Sequence, residues 1–135
     1  MDEIRAKYPN DVKVVIKNFP LSSHKQANKA ALYALAAGRQ GKYYEMFEKI
    51  FANYRELRNN EDLPIQYAVE LGLDVDQIKR DIEDPALQQL IFEEVNQLRN
   101  TGMRLAVPKF LINGKEPQKR DVETWSQIID EELKQ

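Results

Sequence analysis

The protein has 135 residues, of which 42% are hydrophobic and 31% are charged, and its net charge is −2 at pH 7. This length suits one hydrophobic core, and no apolar run approaches the roughly 20 residues that a membrane span requires. Because acidic and basic residues are interleaved, no surface of a single sign is predicted, and we expect neither nucleic acid nor a membrane as a partner.

The residue types exclude most thiol and metal chemistry. The sequence contains no cysteine and a single histidine, His24. These residues therefore supply no disulfide, no thiolate nucleophile and no zinc site built from imidazoles. Phosphate-binding glycine loops and nucleophile motifs are also absent. We predict no catalytic residue, no metal site and no cofactor.

The first part of the chain predicts the end of a helix followed by a strand. Helix-forming residues occupy positions 2–8 and stop at Pro9. Residues 12–19 are rich in β-branched side chains and alternate in part, which is typical of a strand buried on at least one face. The N-terminus lacks the apolar core of a signal peptide, so it indicates no compartment.

The middle of the chain predicts a block of helices at about 23–39, 43–51, 64–71, 75–83 and 85–100. Ser22 or Ser23 is predicted to cap the first of these helices, with Gln26 at the capping-box spacing from Ser23, and Asp74 and Asp84 precede later helices as N-caps. One stripe at helical spacing is interpreted as core packing, with a stacking platform for a ligand as the alternative: Tyr43, Met46, Phe47, Ile50 and Phe51.

Charged side chains on these helices could be proposed as paired carboxylates for acid-base chemistry. Neighbouring residues on a helix do not face each other, so we interpret them as solvated faces. The set comprises Glu45, Glu48, Lys49, Glu93 and Glu94.

The last part of the chain combines a proline, a short strand and a hairpin signal. Phe110, Leu111 and Ile112 form an apolar run, and Asn113-Gly114 favours a two-residue hairpin turn. Pro108 precedes that strand, where proline avoids costing a ladder hydrogen bond, and from the residues alone a trans peptide bond is expected there. Residues 115–120 are predicted as a polar edge strand. A last helix follows the cap Asp121 and turns Val122, Trp125, Ile128, Ile129 and Leu133 inward.

This order of elements resembles the DsbA-like branch of the thioredoxin superfamily, the thiol-disulfide oxidoreductases, after its first βα unit. Five separated segments carry the resemblance in the right order: 7–21, 24–27, 40–47, 71–74 and 107–114. It implies an α/β, mostly helical, thioredoxin-like fold that is N-terminally truncated and has a helical insertion between strands. It also implies one domain, 1–135, made of a helix end and strand (1–21), the insertion (22–104), and the cis-proline strand, hairpin strand and C-terminal helix (105–135).

The resemblance also implies a binding site. Pro108 matches the family's cis-proline, and Val107 matches the residue whose backbone N–H and C=O bind an extended polypeptide substrate by strand addition. His24 matches no catalytic residue and is interpreted as structural. The family's C-x-x-C motif would lie upstream of the matched segments, so the chain is expected to be inactive in disulfide exchange by itself. The resemblance also implies a periplasmic or extracytoplasmic compartment for this protein.

Two other interpretations remain open. The first is a redox-inactive peptide-binding or assembly module, for example a homodimer that fills the place of a missing central strand between residues 12–19 and 109–112, whose open edges invite pairing. The second is a relative of the kappa-class glutathione transferases and isomerases, which use a serine in place of the cysteine pair. Val107 before the proline favours the disulfide oxidoreductases over this class.

Overall fold

The computed structural model describes all residues from Met1 to Gln135. Its seven α-helices are α1 (Asp2–Lys7), α2 (Ala27–Arg39), α3 (Tyr43–Ala52), α4 (Leu63–Glu70), α5 (Val75–Asp81), α6 (Pro85–Arg99) and α7 (Val122–Leu133), and a 3-10 helix covers Glu56–Arg58. The chain divides into two units: a terminal unit, Met1–Lys17 with Arg104–Gln135, and a helical unit, Asn18–Met103. None of the helices combines the length and apolarity needed to cross a bilayer.

Three aspartates begin helices as the sequence predicts. The side chains of Asp74, Asp84 and Asp121 each accept a hydrogen bond from a backbone N–H two or three residues later, at 3.0, 2.9 and 2.7 Å. Such a bond satisfies one of the free N–H groups in the first turn. It also holds the pKa of the Asp84 and Asp121 carboxyls below the usual value. Local sequence therefore determines where these helices begin.

The capping box predicted at Ser23 and Gln26 is wrong. Helix α2 begins at Ala27 without a side-chain cap. Before it, the His24 N–H donates to the Leu21 carbonyl at 3.0 Å, and the Ala27 N–H donates to the His24 carbonyl at 3.0 Å. Two consecutive turns therefore occupy residues 21–27, and the helix starts about one turn later than predicted.

The helical unit is built around small residues of α2. Ala36 and Ala37 have no exposed surface, which lets neighbouring helices approach closely. The predicted aromatic stripe is only partly core: Met46 is fully buried, whereas Phe51 in the last turn of α3 is 63% exposed. The Phe51 ring is tilted against the Phe47 ring, with the ring centres 5.0 Å apart. The buried cluster comprises Tyr33, Ala34, Ala36, Ala37, Met46, Tyr67, Ala68, Ile78 and Leu87.

The strand predicted at residues 12–19 does not form. Its burial does alternate: Val12, Val14 and Ile16 are half-buried, whereas residues 13, 15 and 17 are exposed. However, no backbone hydrogen bond reaches residues 13–16 from any other segment. A strand needs ladder bonds to a neighbouring strand, so the pattern predicts the correct burial but the chain supplies no partner.

The predicted hairpin turn is present, but the strands beside it shrink to one bridge. Asn113 and Gly114 both have positive φ, 47° and 83°, as a type I′ turn requires. Ile112 and Lys115 exchange both backbone hydrogen bonds, at 2.8 and 2.9 Å. The next hydrogen-bonded pair would join residue 110 to Pro117, which has no N–H to donate. The ladder predicted for 110–112 and 115–120 therefore ends after one pair.

The core of the terminal unit joins α1 to α7. Tyr8 is 7% exposed, and its hydroxyl donates to Asp130 Oδ1 at 2.7 Å. Leu133, predicted to face inward, is 51% exposed because it lies in the last turn of α7. The buried cluster comprises Ile4, Tyr8 and Ile129, with Val12, Ile112, Val122 and Trp125 packed against it.

Candidate functional site

The Val107-Pro108 peptide bond is cis. This agrees with the expectation from the family resemblance and corrects the trans bond expected from the residues alone. Val107 is half-buried and Pro108 is exposed. The bond lies in the terminal unit, after α6 and before the Ile112–Lys115 bridge.

Each neighbour of Val107 has one backbone group in a hydrogen bond. On one side, the Ala106 N–H donates to the Arg104 carbonyl at 3.0 Å. On the other, the Pro108 carbonyl accepts from Arg120 Nη2 at 2.9 Å. Val107 itself makes no backbone hydrogen bond within the protein. A donor and an acceptor on one residue are the groups that a hydrogen-bonded pair of antiparallel strands uses.

The arginine that binds the Pro108 carbonyl packs against a pair of aromatic rings. The Arg120 guanidinium lies 5.8 Å from the centre of the Phe110 ring, within cation–π range. The Phe110 and Trp125 ring centres are 4.8 Å apart, and Trp125 Nε1 donates to the Lys119 carbonyl at 2.9 Å. Helix α7 thereby fixes the arginine that contacts Pro108.

No pattern in the sequence indicates Arg120 as a functional residue. Arg120 and Pro108 are twelve positions apart and meet only because the 113–114 turn reverses the chain. The two aromatic residues were predicted separately, one on a strand and one inward on a helix. No spacing pattern in the sequence joins them to an arginine.

Two lysines near the hairpin turn are paired with carboxylates of the same unit. The Lys109 side chain is 7% exposed and lies 2.7 Å from Glu116 Oε1. Lys115 pairs with Glu132, and this contact raises the pKa of the lysine and lowers the pKa of the carboxyl. Both lysine charges are thus neutralised within the chain.

The single histidine and the helix carboxylates considered from the sequence lie in the helical unit, outside the segment around Val107. His24 is exposed in a turn, and no three histidine, aspartate or glutamate side chains converge as metal ligands. Glu94, interpreted as a solvated residue, instead accepts from the Asn18 backbone N–H at 2.6 Å and from its side-chain amide at 2.9 Å. Burial and the Glu94 charge raise the pKa of Tyr43 to about 12. These contacts hold residue 18 against α6 and build no reaction centre.

Part of three sodium/proton antiporters is similar to this chain. The protein named Na(+)/H(+) antiporter NhaA 1 from Mycobacterium sp. (strain KMS) is 30% identical over 118 residues, covering 85% of this chain and 19% of that protein. NhaA from Herminiimonas arsenicoxydans is 30% identical over 114 residues, or 84% and 18%. NhaA 1 from Mycolicibacterium gilvum is 31% identical over 117 residues, or 85% and 19%. The chain spans about a fifth of the length of these curated relatives.

A family comparison covers nearly the whole chain. The sequence model described as thioredoxin matches residues 1–131. That range includes both units of the structure and the cis Val107-Pro108 bond. The chain therefore belongs to the thioredoxin family.

Proposed function

We propose that this protein is a DsbA-like domain that binds an extended stretch of polypeptide through the main chain of Val107, beside the cis bond to Pro108. The observation that carries the proposal is that the N–H and C=O of Val107 have no partner within the protein, beside a cis bond and a Pro108 carbonyl that is already bonded. Strand addition uses such groups for affinity and leaves side chains to set specificity. With no cysteine among its residues, the domain binds without exchanging disulfides itself.

The helical insertion is the second part of the proposal. The helical unit, Asn18–Met103, has bounds close to those expected for the insertion, 22–104. This supports a DsbA-like arrangement in which the binding segment belongs to the other unit. The expected N-terminal truncation stays a prediction, and the coding sequence upstream of Met1 tests it.

The test replaces the Val107 main-chain donor. Val107→Pro removes the N–H, whereas Val107→Ala removes most of the side chain and keeps the N–H. Titration with a short, end-blocked peptide of alternating valine and threonine should give binding that falls roughly five-fold in Val107→Pro, since a hydrogen bond contributes about 1 kcal/mol. Val107→Ala should bind within about two-fold of the wild type because main-chain groups carry the affinity.

Amide hydrogen exchange provides a second measurement that needs no substitution. Bound peptide should slow exchange of the Val107 N–H in the wild type. For the Val107→Pro and Val107→Ala variants, a thermal melt shows whether each is folded. Equal loss in both variants, or an unprotected Val107 amide in the saturated complex, would refute main-chain recognition. Displacement of the peptide by glutathione, with tighter binding of glutathione itself, would favour the kappa-class alternative.

The proposal does not include ion transport. The names of the relatives give an antiporter activity to whole proteins. Those proteins are about five times as long as the segment that they share with this chain. The family match covers residues 1–131 of the 135, so most of the segment shared with the antiporters lies within it.

A second candidate function is an assembly module. It is supported by residues 13–16, whose backbone groups are unpaired, and by Val15, which is 61% exposed within that segment. Such an edge pairs readily with another strand. In an antiparallel homodimer centred on Val15, Lys13 would face Lys17, and like charges in opposite positions destabilise a pair. A homodimer of this kind should therefore strengthen with salt, and the oligomeric state tests it.

A further inference from the structure

We infer that Arg120 selects polypeptides that carry a carboxylate within two residues of the position that pairs with Val107. The inference rests on the proposed binding at Val107 and adds the chemical class of the ligand. It follows from where Arg120 is held, from the donors it has left, and from the absence of a carboxylate partner within the chain.

Two contacts hold the Arg120 guanidinium beside the binding residue. Its Nη2 donates to the Pro108 carbonyl at 2.9 Å, so the group lies one residue along the chain from Val107. Its Cζ atom is 5.8 Å from the centre of the Phe110 ring, which packs on Trp125. Arginine is suited to carboxylates because its planar group is partly ordered before binding. Arg120 is therefore placed before a ligand arrives.

Most of the hydrogen-bonding capacity of Arg120 is unused. A guanidinium has five N–H donors, and the bond to Pro108 uses one of them. The residue is exposed, and no aspartate or glutamate of the chain forms an ion pair with it. In contrast, Lys109 and Lys115 in the same segment are paired with Glu116 and Glu132. Arg120 is thus a fixed cation that can accept a carboxylate from outside.

The ligand that fits this arrangement is an extended peptide with glutamate or aspartate next to its pairing residue. Its main chain would bond to Val107, and its carboxylate would accept two hydrogen bonds from the remaining guanidinium donors. The alternative is that Arg120 only positions Pro108, in which case acidic and neutral peptides lose affinity equally when it is replaced. The two roles are separated by comparing peptides as well as proteins.

The experiment titrates two end-blocked peptides, identical except for one glutamate or glutamine beside the central residue, into four proteins. These are the wild type, Arg120→Gln, Arg120→Glu and Lys119→Gln. The wild type should prefer the glutamate peptide by about two- to five-fold, the range for an exposed ion pair. Arg120→Gln should abolish that preference. The adjacent exposed Lys119 is the matched control for a change of net charge, and Lys119→Gln should keep the preference.

Charge reversal separates recognition from folding. A third peptide carries lysine at the same position. Arg120→Glu should prefer this lysine peptide over the glutamate peptide, which neither an unfolded protein nor a merely loosened loop would do. An equal loss for both peptides in Arg120→Gln, or the same loss of preference in Lys119→Gln, would overturn the inference and leave binding at Val107 intact. If Val107→Pro binds as the wild type does, the proposed function itself fails, whatever Arg120 does.

Discussion

Replacing Tyr33 by phenylalanine tests how a buried ring and a surface carboxylate stabilise the helical unit. Tyr33 has no exposed surface, and its hydroxyl donates to Asp62 Oδ1 at 2.7 Å. Lys29 Nζ lies 2.6 Å from the same oxygen. Tyr33→Phe keeps the ring in the core and removes one hydrogen bond to a carboxylate, so it isolates that bond.

The expected cost follows from the exposure of the acceptor. Hydrogen bonds to charged groups contribute about 1.5–3 kcal/mol. Because the Asp62 side chain is 51% exposed, water replaces the lost donor, and the lower end of that range, about 1.5 kcal/mol, applies. Tyr43→Phe is the matched control. The Tyr43 hydroxyl is 3.5 Å from the neutral Asn18 Oδ1, at the limit of a hydrogen bond, and should cost about 0.5 kcal/mol or less.

The cost of Tyr33→Phe should depend on pH. The bonds from Lys29 and then from Tyr33 lower the pKa of Asp62 below its ordinary value of 3.8. A carboxyl with a lowered pKa in the folded state contributes stability that is present above the unfolded-state pKa and is lost as pH falls through the folded-state pKa. The difference between Tyr33→Phe and the wild type should therefore be full at pH 7 and shrink in acid below 3.8.

Urea unfolding at pH 7 and again below the ordinary pKa of aspartate measures both effects. The free energy of unfolding should fall more for Tyr33→Phe than for Tyr43→Phe at pH 7, and the gap should narrow in acid. Asp62→Asn removes the charge without acid. In an Asp62→Asn background at pH 7, the costs of Tyr33→Phe and Tyr43→Phe should therefore differ as little as they do in acid. Equal costs for the two tyrosines, or a gap that acid leaves unchanged, would refute the assignment of the stabilisation to the Asp62 charge.

Two further predictions concern the terminal unit. Ser126 is 5% exposed and its buried Oγ has no hydrogen-bond partner, so Ser126→Ala should raise the free energy of unfolding by about 1 kcal/mol in a urea titration; a loss of stability would show that the hydroxyl has a partner. If the assembly candidate is correct, sedimentation equilibrium should detect self-association that Val15→Lys removes. Val69→Lys, at an equally exposed valine of α4 (64%), should leave the self-association unchanged. A wild type that stays monomeric at all concentrations excludes the homodimer.

The helices could be predicted from the sequence because their signals are local. Asp74, Asp84 and Asp121 each lie within three residues of the N–H that they bind. The strand at 12–19 could not be predicted reliably, since alternation determines burial but a strand also needs a partner elsewhere in the chain. Pro117 illustrates the same limit: its missing N–H ends the hairpin ladder only because of the residue it faces across the turn.

Only some residues of the candidate site could be predicted from the sequence. Val107 and Pro108 could be named because a family resemblance links a Val-Pro pair to a cis bond, which residue preferences alone do not favour. Arg120 could not be named, since its contact with Pro108 depends on the turn at 113–114 and on packing against Phe110. The local spacing of residues in the sequence does not predict contacts that depend on tertiary structure.

The absence of thiols does not remove the physical basis of recognition. Disulfide exchange requires a thiolate, whereas strand addition at Val107 requires only a backbone N–H and C=O, which every residue except proline provides. Side-chain changes at position 107 should therefore preserve binding, and any preference among peptides has to come from neighbouring side chains. Arg120 is held against Pro108 with no carboxylate of its own chain. If this protein discriminates between polypeptides, that arginine is where the discrimination should be measured.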